Sequence, residues 1–72
     1  MNVKLANEVN SLIHSYELEA KKWRELFWVA HDDGKEVEAR TYWNNCTFYN
    51  GKASGARELL QTINEVTDYE EL

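Results

Sequence analysis

Residues 42–56 are YWNNCTFYNGKASGA, and the structure of this stretch decides the fold of the chain. Its aromatic and β-branched residues, followed by Asn50 and Gly51, are typical of a strand that enters a tight turn. Its apolar and small residues also recur at steps of three and four, which is the spacing along one face of a helix. The stretch is therefore either part of a β-hairpin or the middle of a long helix.

The helical spacing extends well beyond this stretch. It runs without a slip through Ala39, Tyr42, Cys46, Tyr49, Ala53, Ala56, Leu60 and Ile63. The same spacing occurs earlier in the chain, at Leu5, Val9, Leu12, Tyr16, Glu19, Trp23, Leu26 and Ala30. Between the two segments, residues 31–35 (HDDGK) have turn chemistry, because Gly34 can adopt the positive φ that ends a helix. Antiparallel pairing about this turn places bulky residues mostly opposite small ones, as interdigitating helices require.

We therefore predict an all-α fold, an antiparallel two-helix hairpin that resembles a coiled coil and forms a single domain over residues 1–72. Start and stop signals place the first helix at about residues 3–31, the turn at 32–35, the second helix at about 36–66 and an acidic tail at 67–72. Two glycines inside the second helix cost about 1 kcal/mol each, which tertiary packing can outweigh. The alternative is an α+β fold in which residues 36–52 form a small β-hairpin between two helices.

Self-association is expected from the size of the chain. A domain of 72 residues buries only about 60% of the surface of its unfolded form, and a single cysteine excludes an internal disulfide. A second apolar stripe lies beside the predicted seam of the hairpin and consists of Ala6, Ile13, Ala20 and Phe27, with Trp43 next to Phe27 in the antiparallel register. We expect a second copy to dock on this flank, giving a homodimer with a four-helix bundle. The alternative is that these residues widen the core of the hairpin itself.

Other positions are candidates for contact with a different protein. They combine large apolar side chains with small residues that allow a close approach, and they are Trp28, Phe48, Gly51, Gly55 and Leu59. Trp28 points away from the predicted seam, and tryptophan is enriched in interface hot spots. The alternative for Trp28 is that it covers the turn, and the alternative for Gly51 is a simple Asn-Gly turn.

Charge and hydropathy exclude several classes of partner. The net charge is −5, from 13 acidic and 8 basic residues mixed along the chain. No basic patch typical of nucleic-acid binding is present, so direct nucleic-acid binding is not expected. The sequence also has no apolar run of membrane-spanning length and no signal peptide. We expect a cytoplasmic protein, which a lone cysteine also favours.

No group of residues indicates catalysis, a cofactor or a metal ion. Cys46 falls in the predicted seam opposite Trp23, where a buried thiol behaves as a small apolar side chain. His14 and His31 are separated by about 25 Å at the standard helical rise, too far to share a metal ion.

The sequence thus predicts a small non-enzymatic protein–protein interaction module that self-associates through an apolar helix flank. The alternative is a small acidic antagonist, of the kind that mobile elements encode, which blocks a host enzyme by mimicking nucleic acid. Size and net charge fit the alternative. The 8 basic residues, however, interrupt the acidic surface that such mimicry needs.

Overall fold

The computed structural model describes the backbone of residues 3–70 and the side chains of residues 3–66. It contains two long helices, α1 (Val3–Asp32) and α2 (Glu36–Glu70), which pack against each other as an antiparallel hairpin. The prediction of a helical hairpin is therefore confirmed. The alternative with a β-hairpin is wrong, because residues 36–52 are helical throughout and no strand occurs within residues 3–70.

The helices are slightly longer than the sequence signals indicate. α1 ends at Asp32, one residue beyond its predicted end, and α2 continues to Glu70, four residues beyond its predicted end. Residues 67–70 of the predicted acidic tail therefore have a helical backbone. Residues 71 and 72, the rest of that tail, lie outside the described residues.

Gly34 forms the turn between the helices, as its position in the sequence predicts. Its φ is +75°, a backbone conformation that glycine adopts without the steric cost of a Cβ atom. The Gly34 N–H donates to the His31 carbonyl at 3.1 Å, and the Lys35 N–H donates to the Ala30 carbonyl at 2.9 Å. This pair of bonds is the Schellman motif, which satisfies the last carbonyls of α1 and reverses the chain.

The face that α2 presents to α1 is the predicted one. Four of its seam residues are buried (Ala39, Cys46, Ala53 and Ala56) and four are partly buried (Tyr42, Tyr49, Leu60 and Ile63). Two stacked or tilted ring pairs join this face to α1: Tyr42 with Trp23, at 5.8 Å between ring centroids, and Tyr49 with Tyr16, at 6.3 Å.

The face that α1 presents to α2 differs from the predicted one. At every second position of the seam, the residue directly after the predicted one faces α2. Its seam consists of Ala6, Val9, Ile13, Tyr16, Ala20, Trp23, Phe27 and Ala30, all buried or partly buried. Leu5, Leu12 and Leu26, which the sequence pattern places in the seam, are exposed instead. This rotation buries Ala20 in place of Glu19, and so it avoids the cost of burying an unpaired carboxylate.

The resulting core is narrow and contains few large side chains. Five of its eight buried apolar residues are alanines, and the others are Val9, Ile13 and Cys46. No large side chain among the described residues is completely buried. Alanine allows the helix backbones to approach closely, but it removes little apolar surface from water.

The rotation of α1 can be tested by placing a leucine at each of the two competing positions. We expect Ala20→Leu to lower the free energy of unfolding by about 1–3 kcal/mol, because a larger side chain must enter a closely packed seam. Glu19→Leu should change it by less than about 1 kcal/mol, since Glu19 lies at the edge of the seam. Urea unfolding measures the free energy of unfolding of both variants. If Glu19→Leu were the more destabilising of the two, Glu19 and not Ala20 would lie in the seam, as the sequence pattern predicts.

Gly51 and Gly55 lie inside α2, where nothing in the hairpin requires a glycine. A Cβ atom built on either residue has no atom within 4 Å. We therefore expect Gly51→Ala and Gly55→Ala each to raise the free energy of unfolding by about 0.5–1 kcal/mol, through helix propensity and a smaller backbone entropy loss.

Gly34→Ala is the matched control for these glycine substitutions. Its positive φ makes alanine strained at that position, so the same substitution should lower the melting temperature. If Gly51→Ala and Gly55→Ala also lowered the melting temperature, another molecule would have to lie close to these glycines, because no atom of the isolated hairpin does.

Candidate functional site

Two helices that share one seam leave two edges beside it, and these edges have different chemistry. On one side lie Glu17 and Arg24 of α1 and Trp43, Asn50 and Arg57 of α2, each of which directly follows a seam residue. Two contacts place these residues on a common side. Arg57 Nη2 donates to Glu17 Oε1 at 2.6 Å, and the rings of Phe27 and Trp43 are 5.0 Å apart. We call this side the groove edge.

The opposite side carries most of the exposed leucines, together with Glu19, Glu38, Asn45 and Lys52, and we call it the leucine edge. Its large apolar residues are Leu5, Leu12 and Leu26 of α1 and Leu59 and Val66 of α2, all of them exposed. Each of these residues except Val66 directly precedes a seam residue, whereas the groove edge follows the seam. Near the middle of this edge, the Lys52 ammonium lies over the rings of Phe48 and Tyr16, at 4.6 and 5.5 Å from their centroids.

The predicted self-association flank does not form one continuous exposed surface. Ile13 and Ala20 are buried inside the hairpin, Ala6 and Phe27 are partly buried, and Trp43 is exposed. The structure brings Phe27 and Trp43 together, as the antiparallel register predicts. Ile13 and Ala20, however, widen the core of the hairpin itself, which is the alternative that the sequence left open.

The predicted partner-binding residues are all exposed, but they lie on different surfaces. Leu59 belongs to the leucine edge. Phe48 and Gly55 lie next to this edge, because Phe48 is one helical turn before Lys52 and Gly55 is one turn before Leu59. Gly51 lies on the outer face of α2. Trp28 belongs to the other side of the hairpin, where its ring packs edge-on against Phe27 at 5.0 Å.

The groove edge contains two depressions that follow each other along the hairpin. The first, of about 330 Å³, is lined by His14, Glu17, Leu18, Ala20, Lys21, Arg24, Asn50 and Arg57. The second, of about 430 Å³, lies nearer the turn and is lined by Phe27, Trp28, Arg40 and Trp43. Phe27 and Trp28 come seven residues after Ala20 and Lys21, and Trp43 comes seven before Asn50. Seven residues are two helical turns, so the two depressions follow each other on the same side of the hairpin, and we refer to them together as the groove.

This groove concentrates positive charge in a chain that is acidic overall. Four of the 8 basic residues line it, namely Lys21, Arg24, Arg40 and Arg57, and Glu17 is the one acid in its lining. Arg57 pairs with Glu17. Among the described residues, no carboxylate lies within 4.0 Å of the charged groups of Lys21, Arg24 or Arg40.

Sequence reasoning missed this groove. Its cations are scattered at positions 21, 24, 40 and 57, and they come together only when α2 is folded back on α1 in the observed register. The seven-residue spacings from Lys21 to Trp28 and from Trp43 to Asn50, combined with the correct rotation of α1, are the signal that could have revealed it.

Cys46 is buried, and its Sγ accepts a weak hydrogen bond from Asn50 Nδ2 at 3.6 Å. Within the part of the chain that the structure describes, no three His, Cys, Asp or Glu side chains gather to hold a metal ion. Neither described helix has a stretch that is apolar enough to cross a membrane.

Comparisons with known proteins add no relative to this description: no protein-family model, no curated protein and no solved structure matches the chain. Its function is therefore argued from the two edges of the hairpin.

Proposed function

We propose that the protein is a small helical protein–protein interaction module that acts by binding and self-associates through its leucine edge. Two hairpins joined in this way form a homodimeric four-helix bundle. The observation that carries the proposal is the row of exposed leucines beside a seam whose fully buried residues are mostly alanines.

The narrow core is the first argument for self-association. A chain of this size has little apolar surface to bury, and it usually needs a disulfide, a metal ion or a partner for stability. This chain has one cysteine, and its buried residues are mostly alanines. Docking another pair of helices on the leucine edge would remove further leucine side chains from water, each worth up to about 1.5–3 kcal/mol when fully buried.

The shape of the leucine edge favours a second copy as the occupant. Both helices contribute to it, and it extends from Val66 at the open end of the hairpin to Leu26 near the turn. A two-fold axis brings such an edge against its own copy, so that leucines of one hairpin pack between those of the other. Self-association therefore needs only this one surface on each copy.

The charges on this edge also permit two copies to meet. Its acids, Glu19 and Glu38, each lie beside a lysine three residues away: Lys22 Nζ is 3.9 Å from Glu19 Oε2, and Lys35 Nζ is 4.0 Å from Glu38 Oε2. Exposed pairs of this kind contribute little stability, but they balance the local charge. The leucine edge is therefore close to neutral although the chain carries −5.

The alternative function, an acidic antagonist that mimics nucleic acid, stays a prediction from size and net charge. The contacts among the described residues add no support to it, because the groove edge interrupts the acidic surface with four cations.

Charged substitutions on the leucine edge test the proposal. We expect the Leu12→Glu, Leu59→Glu double variant to raise the dimer dissociation constant by more than about 100-fold, since the interface would have to bury four carboxylates in place of leucines. Sedimentation velocity at micromolar concentration measures the mass. Circular dichroism of the same sample shows whether the helices persist.

Leu18→Glu is the matched control. Leu18 is as exposed as the two test residues (53%, against 44% for Leu12 and 51% for Leu59), but it lines the groove on the other side. This variant should keep the dimeric mass. A wild-type protein that sediments as a monomer, or a double variant that remains dimeric, would contradict the proposal.

A further inference from the structure

We propose that the groove edge is a docking site for an acidic peptide segment of another protein, with one apolar side chain of that segment held in the aromatic end of the groove. This inference goes beyond self-association. It does not depend on the proposed dimer, because the leucine edge lies on the opposite side of the hairpin.

The aromatic end is formed by rings that pack on one another. The Phe27 ring lies 5.0 Å from the ring of Trp43, 5.0 Å from that of Trp28 and 5.7 Å from that of His31. Each of these rings contacts at least one neighbouring ring, so the depression is already formed in the isolated hairpin. A preformed site binds at a lower cost in conformational entropy.

The exposure of these rings indicates a partner with an apolar anchor. Trp28 and Trp43 both remain about half in water although they contact other rings, and together with Phe27 and Arg40 they line an open depression of about 430 Å³. Tryptophan in a concave, mostly apolar depression is the usual environment of an interface hot spot. One leucine or aromatic side chain is the expected occupant.

The cations indicate that the chain around this anchor is acidic. Lys21 and Arg24 line the first depression and Arg40 borders the aromatic end, so carboxylates on either side of an anchored residue would meet positive charge. The rest of the chain is strongly acidic, since the whole carries −5. The groove is therefore the most positive of these surfaces, and it attracts an acidic segment more strongly than the nearly neutral leucine edge does.

The same charges favour a peptide over a nucleic acid. A polyphosphate needs a long unbroken row of cations, whereas this groove has four, of which Arg57 is already paired with Glu17. The net charge of −5 would repel the remainder of any nucleic-acid strand. A peptide segment carries only a few carboxylates and is short enough to contact the groove alone. It is therefore repelled little by the acidic surfaces of the hairpin.

The first test measures binding of a fluorescein-labelled synthetic peptide, a short run of glutamates on either side of a central leucine, by fluorescence anisotropy with the full chain. We expect saturable binding that weakens as the NaCl concentration rises from about 50 to about 200 mM. The Arg24→Glu, Arg40→Glu variant should bind at least about tenfold more weakly, because both cations that flank the anchor are reversed.

Lys4→Glu, Lys22→Glu is the matched control, with the same net charge but both changes outside the groove. It should bind the peptide within about threefold of the wild type once the helical signal is shown to be intact, since screened charges at a distance contribute little. An equal loss in both variants would mean that net charge alone governs binding, and it would overturn the proposal.

The second test concerns the anchor. Trp28→Ala should weaken binding by about tenfold, as expected for an interface hot spot. Phe48→Ala, which removes a ring of the same exposure (55%, against 54% for Trp28) on the other side of the hairpin, should leave binding unchanged. Replacing the central leucine of the peptide by glutamine should reproduce the Trp28→Ala loss.

Three further measurements separate this site from the other surfaces of the molecule. The Leu12→Glu, Leu59→Glu variant should still bind the peptide, whether or not it is dimeric. A peptide that dissociates the wild-type dimer would show that the groove is the self-association surface, and tighter binding of a single-stranded oligothymidine than of the peptide would assign the groove to nucleic acid. Either result would overturn the proposal.

Discussion

Contact between two long helices along a seam whose fully buried positions are mostly alanines is the constraint on which the rest of this structure depends. Ala20, Ala30, Ala39, Ala53 and Ala56 are buried there, and their small side chains let the two backbones approach. A seam of this kind aligns the helices precisely enough for rings such as Trp23 and Tyr42 to stack. It also buries little apolar surface, and so the large apolar side chains remain at the edges, where they are available to partners.

The rotation of α1 decides which residues occupy those edges. With Ala20 in the seam, Glu19 and Leu12 move to one side, and Lys21 and Arg24 approach the side that carries Trp43 and Arg57. A rotation by one residue would have buried the leucines and placed Ile13 on the surface. The cost of burying Glu19 more deeply disfavours that rotation, so this carboxylate contributes to the chemistry of both edges.

The sequence predicts α2 better than α1, and the reason is physical. In α2 the seam residues are flanked mostly by polar ones such as Asn45, Asn50 and Arg57, so one apolar stripe dominates. Its unbroken phase outweighs the strand propensity of Thr47 and Phe48. In α1 two apolar stripes run one residue apart, beginning at Leu5 and at Ala6. A step of one residue is about 100° around a helix, and periodicity alone does not choose between them. The groove edge needs both helices in register, which no local pattern contains.

A chain of two helices has only two edges, and the proposed roles use both of them. An apolar, nearly neutral edge suits association with a copy of itself, because two identical charged surfaces would repel. A cationic edge with an aromatic end suits an acidic partner, because opposite charge steers the encounter and an anchored ring slows dissociation. In the proposed dimer the leucine edges meet at the centre, and the two grooves therefore face away from each other. A partner with two acidic segments gains affinity from this arrangement only if its linker spans the bundle, so the assembly would select partners by the spacing of their acidic segments as well as by their charge.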